Sequence, residues 1–232
     1  MKKVGIIGGI GPASTLDYYS GIINGARAKT NGDDYPEIVI DSVNMTEMIS
    51  YISDADWDAL VNMLLNSIKN LAGAGANFAA IASNTPHIVF DRVQNKSVLP
   101  LISIVDATCA CVQHKRCKSV VVIGTRFTMS SGLYSDALKK YDITAIVPSE
   151  NDQAAIHGII FPKLEDGIVV PEDKKKMLII ANGLLTKHNA DGLILGCTEL
   201  PLMIKDDDLD TMIFNTTQIH VEAIVNTIKE TV

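Results

Sequence analysis

Gly192-Leu193-Ile194-Leu195-Gly196-Cys197-Thr198-Glu199-Leu200-Pro201 reads as a short buried strand, a glycine turn and the start of a helix. The run from Gly192 to Leu195 is apolar and too short for a core helix, and a proline suits a first helical turn. Phe78-Ala79-Ala80-Ile81-Ala82-Ser83-Asn84-Thr85-Pro86 repeats this layout: an apolar strand, small polar residues, then a proline opening a helix. Each copy is preceded by a second matching feature. Val4–Gly8 reads as a strand running through Gly8-Gly9 into a helix with Tyr18-Tyr19, and Val120–Gly124 as a strand running through Gly124-Thr125 toward a helix with Tyr134. Gly8 to Ser83 and Gly124 to Cys197 are both separations of roughly 75 residues, as a duplicated unit would give.

Working outward, short β-rich runs alternate with helical patterns. Helices are expected over Ala13 to about Lys29, Asp56–Ala72, Pro86–Gln94, Asp106–Lys115, Leu133–Tyr141, Gln153–Leu164, Asp173–His188 and Gln218–Lys229. Further strands are expected at Glu37–Asp41, Val98–Ile102, Thr144–Val147 and Met212–Phe214. Leu60, Leu64, Ile68 and Leu71 form an apolar stripe at helical spacing. The alternation predicts an α/β fold of two pseudo-symmetric lobes, each a mostly parallel sheet flanked by helices. The site is expected between the lobes, at the carboxyl ends of the strands. The chain should cross near Leu101–Asp106 and return near Phe214–Gln218. That gives one lobe from residues 1–103 plus 215–232 and another from 104–214.

Composition narrows the function. With 232 residues, 47% of them hydrophobic, the chain has ample material for a core. A formal net charge of −7 argues against a nucleic-acid or anionic-membrane surface. The one basic run, Lys174 to Lys176, follows Glu172 and Asp173 and reads as a solvated helix start. No apolar run is long enough to span a bilayer. Met1-Lys2-Lys3 before Val4–Ile7 has the look of a signal peptide, but Gly8, Gly9, Gly11 and Pro12 interrupt it at once, so the expected location is the cytoplasm. The four cysteines are then core residues or chemistry rather than disulfide staples.

Cys197 stands directly after a strand and before a helix start. There the positive end of a helix dipole would lower its pKa below the free value of about 8.5 and favour the thiolate. The alternative is a small core residue. Ser83, Asn84 and Thr85 offer side chains and free N–H groups suited to a carboxylate, or simple helix capping by Asn84 or Thr85. His87, in the first helical turn, reads as a packing residue. Thr125 and Thr128 read as carboxylate ligands or as a helix cap, and Arg126 or Lys163 as a partner for a second substrate carboxylate or as surface charge. Gly8-Gly9-Ile10-Gly11-Pro12 is a poor dinucleotide fingerprint. Ser14 stands where the third glycine belongs, and Asp41 lies about 30 residues past Gly11 where about 20 are expected. Cys109-x-Cys111-x-x-His114-x-x-Cys117 departs from the usual zinc spacings, and no metal is expected there.

Taken together, Gly8-Gly9-Ile10-Gly11-Pro12, Ser83-Asn84-Thr85-Pro86-His87, Gly124-Thr125-Arg126-Phe127-Thr128-Met129 and Gly196-Cys197-Thr198-Glu199 resemble the aspartate/glutamate racemase family, in order and over nearly the whole chain. The resemblance implies two α/β lobes, often dimeric, and no pyridoxal phosphate, metal or other cofactor. It further implies a small acidic amino acid as substrate. Two cysteines flank the α-carbon: one thiolate removes the α-proton and the opposing thiol donates to the other face. It assigns the catalytic thiol to Cys197 and substrate binding to Asn84, Thr85 and Thr198, with Thr125 beside them. This chain departs from the pattern at Ser83, where the family carries its first cysteine. A serine hydroxyl is a far weaker acid than a thiol and a sluggish donor. Members with a non-cysteine there are associated with L-acidic substrates, so the expectation is exchange on the L-face by Cys197 with slow racemisation. Relatives that isomerise maleate or racemise hydantoins share this layout, and loss of the second base would also suit a non-catalytic binder of an acidic metabolite. Aspartate and glutamate differ by one methylene, worth only about 1–3 kcal/mol in a pocket.

Overall fold

In a computed structural model describing residues 1–30, 32 and 34–229, the chain packs into two compact units. One comprises Met1–Ile104 and the segment from Thr217, the other Val105–Thr216. The first unit contains β1 (Val4–Gly8), α1 (Pro12–Ala28), β2 (Ile38–Ser42), α2 (Met45–Ser53), α3 (Trp57–Gly73), β3 (Phe78–Ile81), a 3-10 turn (Thr85–Val89), α4 (Phe90–Gln94) and β4 (Leu101–Ile102). The chain continues through α5 (Ile104–His114), β5 (Ser119–Ile123), α6 (Arg126–Ser130), α7 (Leu133–Lys139), β6 (Thr144–Ile146), α8 (Glu150–Ile159), a π-type turn (Ile160–Leu164), α9 (Pro171–His188), β7 (Gly192–Leu195), α10 (Leu200–Met203) and β8 (Met212–Asn215). It ends in α11 (Thr216–Lys229), which belongs almost wholly to the first unit.

Both sheets are parallel and share one strand order, β2-β1-β3-β4 and β6-β5-β7-β8. The duplicated layout of the sequence is therefore a duplicated topology, and the expected α/β class with two similar parallel-sheet lobes holds.

The central strands are apolar throughout because each face is covered. In the first sheet Ile7, Ala79 and Ile81 pack with Leu60, Leu64, Ile68 and Leu71 of α3. Val4, Ile6, Phe78 and Ala80, alternating with them, pack with Tyr18 and Ile22 of α1 and with Ile224 and Val225 of α11. In the second, Val121, Ile123, Leu193 and Leu195 pack with Ile156 of α8 and with Met177, Ala181 and Leu185 of α9. Val120, Val122 and Ile194 alternate to the other face and are equally buried. Among the described residues no helix is long and apolar enough to cross a membrane.

Several elements differ from expectation for local reasons. Helix α2 was not anticipated. Asn44 caps it by accepting from the N–H groups of Thr46 (3.0 Å) and Glu47 (3.3 Å), and only Met48 is buried. Helix α6 is likewise additional, capped by Thr125. The helix expected over Gln153–Leu164 starts earlier, at Glu150, and leaves helical geometry at Phe161 (φ −104°, ψ 135°), because the residue before Pro162 is pushed to extended backbone. The strand expected over Val98–Ile102 shortens to Leu101–Ile102, since Pro100 has no N–H to give a ladder. The helix expected over Pro86–Gln94 begins as the 3-10 turn and becomes α4.

Candidate active site

The residues singled out in the sequence lie on loops after strand ends, divided between the two units. Ser83, Asn84 and Thr85 follow β3 in the first; Thr125 follows β5, and Cys197 and Thr198 follow β7, in the second.

In the first unit, Ala82 N–H donates to the Ile7 carbonyl (3.0 Å) and Ser14 Oγ donates to the Ala82 carbonyl (3.2 Å), so the Ser83 loop grows from a fixed base beside the β1 turn. That turn depends on Gly9, whose φ is +80° and where a Cβ would lie 2.5 Å from the Val43 carbonyl oxygen. Ser83 and Thr85 are half-buried. Asn84 is only 3% exposed, and its side chain makes no cap hydrogen bond to the 3-10 turn, so capping does not account for it. His87 is buried and stacked on Phe90 (5.0 Å between ring centres), and its Nε2 accepts from the Ile104 N–H at 3.2 Å. Burial, followed by the neighbouring His220, pushes its pKa down to about 3, so it stays neutral. Tyr18 O–H donates to His220 Nδ1 (2.7 Å), which leaves Nε2 as the nitrogen that donates to the Ile102 carbonyl (3.0 Å).

In the second unit two glycines let the strand ends approach. A Cβ on Gly124 would lie 2.9 Å from the Gly196 carbonyl oxygen, and one on Gly196 would lie 3.0 Å from Thr128 Cγ2. The Thr125 loop and the Cys197 loop therefore sit side by side. Thr125 Oγ1 accepts from Thr128 N–H (3.2 Å) and contacts Thr128 Oγ1 (3.0 Å), which is the capping geometry. Thr216 Oγ1 donates to the Leu195 carbonyl (2.8 Å), fixing the end of β7 just before the thiol.

Cys197 is 5% exposed, and its thiol donates to Glu199 Oε2 at 3.0 Å. Thr198 Oγ1 donates to the same oxygen at 2.9 Å. Burial first, then the Glu199 charge and this hydrogen bond, and then Glu165 hold the Cys197 pKa well above the usual thiol range; only a backbone hydrogen bond at Glu199 acts the other way. This corrects the thiolate expected from a helix N-terminus. Helix α10 spans only Leu200–Met203, and desolvation beside a carboxylate outweighs it.

Glu199 was quoted in the motif without a role, and Glu165 was not singled out. Glu165, half-buried just after the π-type turn, has its carboxyl raised to about 7 by burial, then by Glu199 and Asp166. Arg126 and Lys163 both lie exposed. Cys109 and Cys117 are buried, and burial raises Cys109 to about 12. Among the described residues no group of three or more His, Cys, Asp or Glu is arranged to hold a metal.

Comparison with known proteins adds the lineage. Residues 7–224 match the Asp/Glu/Hydantoin racemase family. The broad specificity amino-acid racemase RacX of Bacillus subtilis (strain 168) is 26% identical over 204 residues, 85% of this chain and 85% of that protein. An aspartate racemase homologue from Pyrococcus horikoshii OT3 superposes with a TM-score of 0.88 at 35% identity, covering 99% of this chain and 100% of that one. A protein of Yersinia pestis whose crystal structure was solved as a candidate Asp/Glu racemase reaches a TM-score of 0.91 at 31% identity, with coverage of 99% and 100%. The match along the sequence and the agreement of fold lead to one conclusion: the chain belongs to the Asp/Glu/hydantoin racemase family and is an enzyme of the amino-acid racemase type.

Proposed function

We propose that the protein is a cofactor-independent racemase of an acidic amino acid, aspartate or glutamate, in which Cys197 exchanges the α-proton. Ser83 stands in the sequence position that the opposing cysteine takes in the family. Asn84, Thr85, Thr125 and Thr198 hold the substrate's carboxylate and ammonium. The observation that carries the reading is the buried Cys197 thiol at the end of β7, hydrogen-bonded to Glu199. A thiolate takes the α-proton of the L-enantiomer, leaving a carbanion conjugated with the carboxylate. Return of the proton from the same sulfur regenerates L-substrate. Inversion needs a donor on the other face, and the Ser83 hydroxyl donates slowly. The reading therefore predicts rapid exchange of one enantiomer with slow racemisation, without pyridoxal phosphate or metal. It places the enzyme in the cytoplasm as a homodimer, which light scattering on the purified protein tests.

The experiment is incubation with L- and D-aspartate and L- and D-glutamate in deuterated water, following the α-proton by NMR and the enantiomer ratio by chiral chromatography. Exchange of an L-acid ahead of inversion supports the reading and names the substrate. Absence of exchange with all four, by folded protein, overturns it. The family description names hydantoin beside Asp and Glu, which keeps a second reading, a related enzyme acting on hydantoins or, by the resemblance alone, on maleate; turnover of one of those compounds instead would select it.

A further inference from the structure

His87 and His220 are both buried, with ring centres 6.3 Å apart and ring planes at 79°. The backbone fixes where each carries its proton. A peptide N–H only donates, so the Ile104 N–H, 3.2 Å from His87 Nε2, requires that nitrogen to be bare. A carbonyl only accepts, so the Ile102 carbonyl, 3.0 Å from His220 Nε2, requires that nitrogen to carry a proton. Burial keeps both rings neutral near pH 7. One stretch of chain leaving β4 therefore sets two neighbouring imidazoles in opposite tautomers, Nδ1–H in His87 and Nε2–H in His220.

The His220 ring is then fully paired, because its bare Nδ1 accepts the Tyr18 hydroxyl at 2.7 Å. The His87 ring is not. Its Nδ1–H is buried and meets no acceptor at hydrogen-bond geometry among the described residues. Leaving a buried donor unpaired costs more than an ordinary hydrogen bond gains. The backbone groups bearing on this nitrogen are those of Ser83 and Asn84, and both favour a proton on the ring, as carbonyl oxygens do. The Asn84 carbonyl already accepts the His87 backbone N–H at 3.0 Å. Ser83 is the larger of the two influences, and the residue three positions after it is Pro86, which has no N–H to give its carbonyl. The ring itself is held: it lies within 10° of parallel to Phe90, and its Nε2 is tied to Ile104. The hydrogen bond forms, then, by movement of the loop. Bonds of this kind are often long in a substrate-free site and tighten when substrate is bound.

We infer that His87 is a positioning residue for the substrate loop: its Nδ1–H, held by the Ile104 N–H and the Phe90 ring, takes the Ser83 carbonyl as the loop closes on substrate, and so sets Asn84 and Thr85 in place. The inference rests on Asn84 and Thr85 being substrate ligands of the proposed racemase. No proton leaves the ring, so His87 acts on binding and not on the α-proton.

Two substitutions separate the two nitrogens. Asn puts an amide N–H near the place of Nδ1 and offers nothing to Ile104. Gln puts an amide oxygen near the place of Nε2 and offers nothing to Ser83. Both remove the ring from Phe90, so that loss is common to them. In α-proton exchange, His87→Gln should raise KM about tenfold, the effect of one buried donor left unpaired, with kcat little changed. His87→Asn should keep KM near its starting value and lose the more stability, since the Ile104 N–H is orphaned. The unaltered protein gives a second readout without turnover. With 15N-labelled histidine, long-range NMR correlation identifies Nε2 as the nitrogen coupled to both carbon-bound ring protons. That nitrogen should be bare in His87 and protonated in His220, and adding L-aspartate or L-glutamate should move the His87 Nδ1–H proton downfield. A proton on His87 Nε2 overturns the inference even if neither variant folds. So does exchange that proceeds with the Nδ1–H signal unmoved, or a Gln variant whose KM does not rise. If the Nδ1–H tautomer is found but neither aspartate nor glutamate exchanges, the ring geometry stands, the racemase reading falls and the inference falls with it.

Discussion

Gly124 and Gly196 face each other at the ends of β5 and β7, so closely that a Cβ on Gly124 would lie 2.9 Å from the Gly196 carbonyl oxygen. The obstacle is backbone, which cannot swing aside as a side chain can. Gly196 N–H meanwhile donates to the Ile123 carbonyl at 2.7 Å, locking the two strand ends together. The Thr125 and Cys197 loops start from this contact. Gly124→Ala should therefore lower stability by about 1–3 kcal/mol, the usual range for overpacking a tight core, and should lower exchange activity more than stability alone explains. Urea denaturation and kcat on the folded fraction measure the two effects separately. A fully stable, fully active Gly124→Ala protein would contradict the close approach.

The proposed chemistry is asymmetric, one thiol and one hydroxyl, and two substitutions separate the roles. Cys197→Ala should abolish α-proton exchange while leaving the fold intact, because the small side chain replaces another buried one. Ser83→Cys should leave exchange of the L-enantiomer near its starting rate and speed inversion by about 10²-fold, in the range that a positioned acid or base contributes. Deuterium incorporation and chiral chromatography read the two rates from one sample. Exchange persisting in Cys197→Ala removes that residue from the mechanism, and unchanged inversion in Ser83→Cys removes position 83.

Much of this architecture was legible in the sequence because parallel strands covered on both faces must be apolar runs. Val4–Gly8 and Gly192–Leu195 could hardly be anything else, and both were read with their observed bounds. Helix α2 had its signal in Asn44-x-x-Glu47, a cap residue followed by an acid three positions on. It was passed over because its apolar stripe is thin and only Met48 is buried. The place of Cys197 at a strand end was legible, but its protonation was not. A helix start suggested a thiolate, whereas burial and the Glu199 carboxylate decide otherwise, and both are tertiary facts. Glu165 carried no local mark at all. It comes within the influence of the Glu199 charge just past the point where the chain breaks from helix at Phe161, and a break of that kind shows in sequence only as Pro162.

Two buried histidines should make the first unit acid-sensitive. Burial lowers His220 to about 4, and burial with His220 nearby lowers His87 to about 3. The unfolded chain binds both protons from about pH 6.5 downward. Stability is thus fullest above that pH and is lost as pH falls, with the loss complete only near pH 4 for His220 and pH 3 for His87. Each histidine contributes a slope of about 1.4 kcal/mol per pH unit. Glu165 acts in the opposite sense: raised to about 7, it holds its proton in the folded chain where the unfolded chain has released it, so acidification through that window favours folding. Because it is half-buried, solvent screening reduces its share. The net expectation is a decline of about 1–2 kcal/mol per pH unit between roughly pH 6 and pH 4.5. His220→Gln keeps an acceptor for Tyr18 but no titrating ring, and should flatten that decline. Urea midpoints at several pH values measure it, and equal slopes in the two proteins would show that His220 does not titrate in this way.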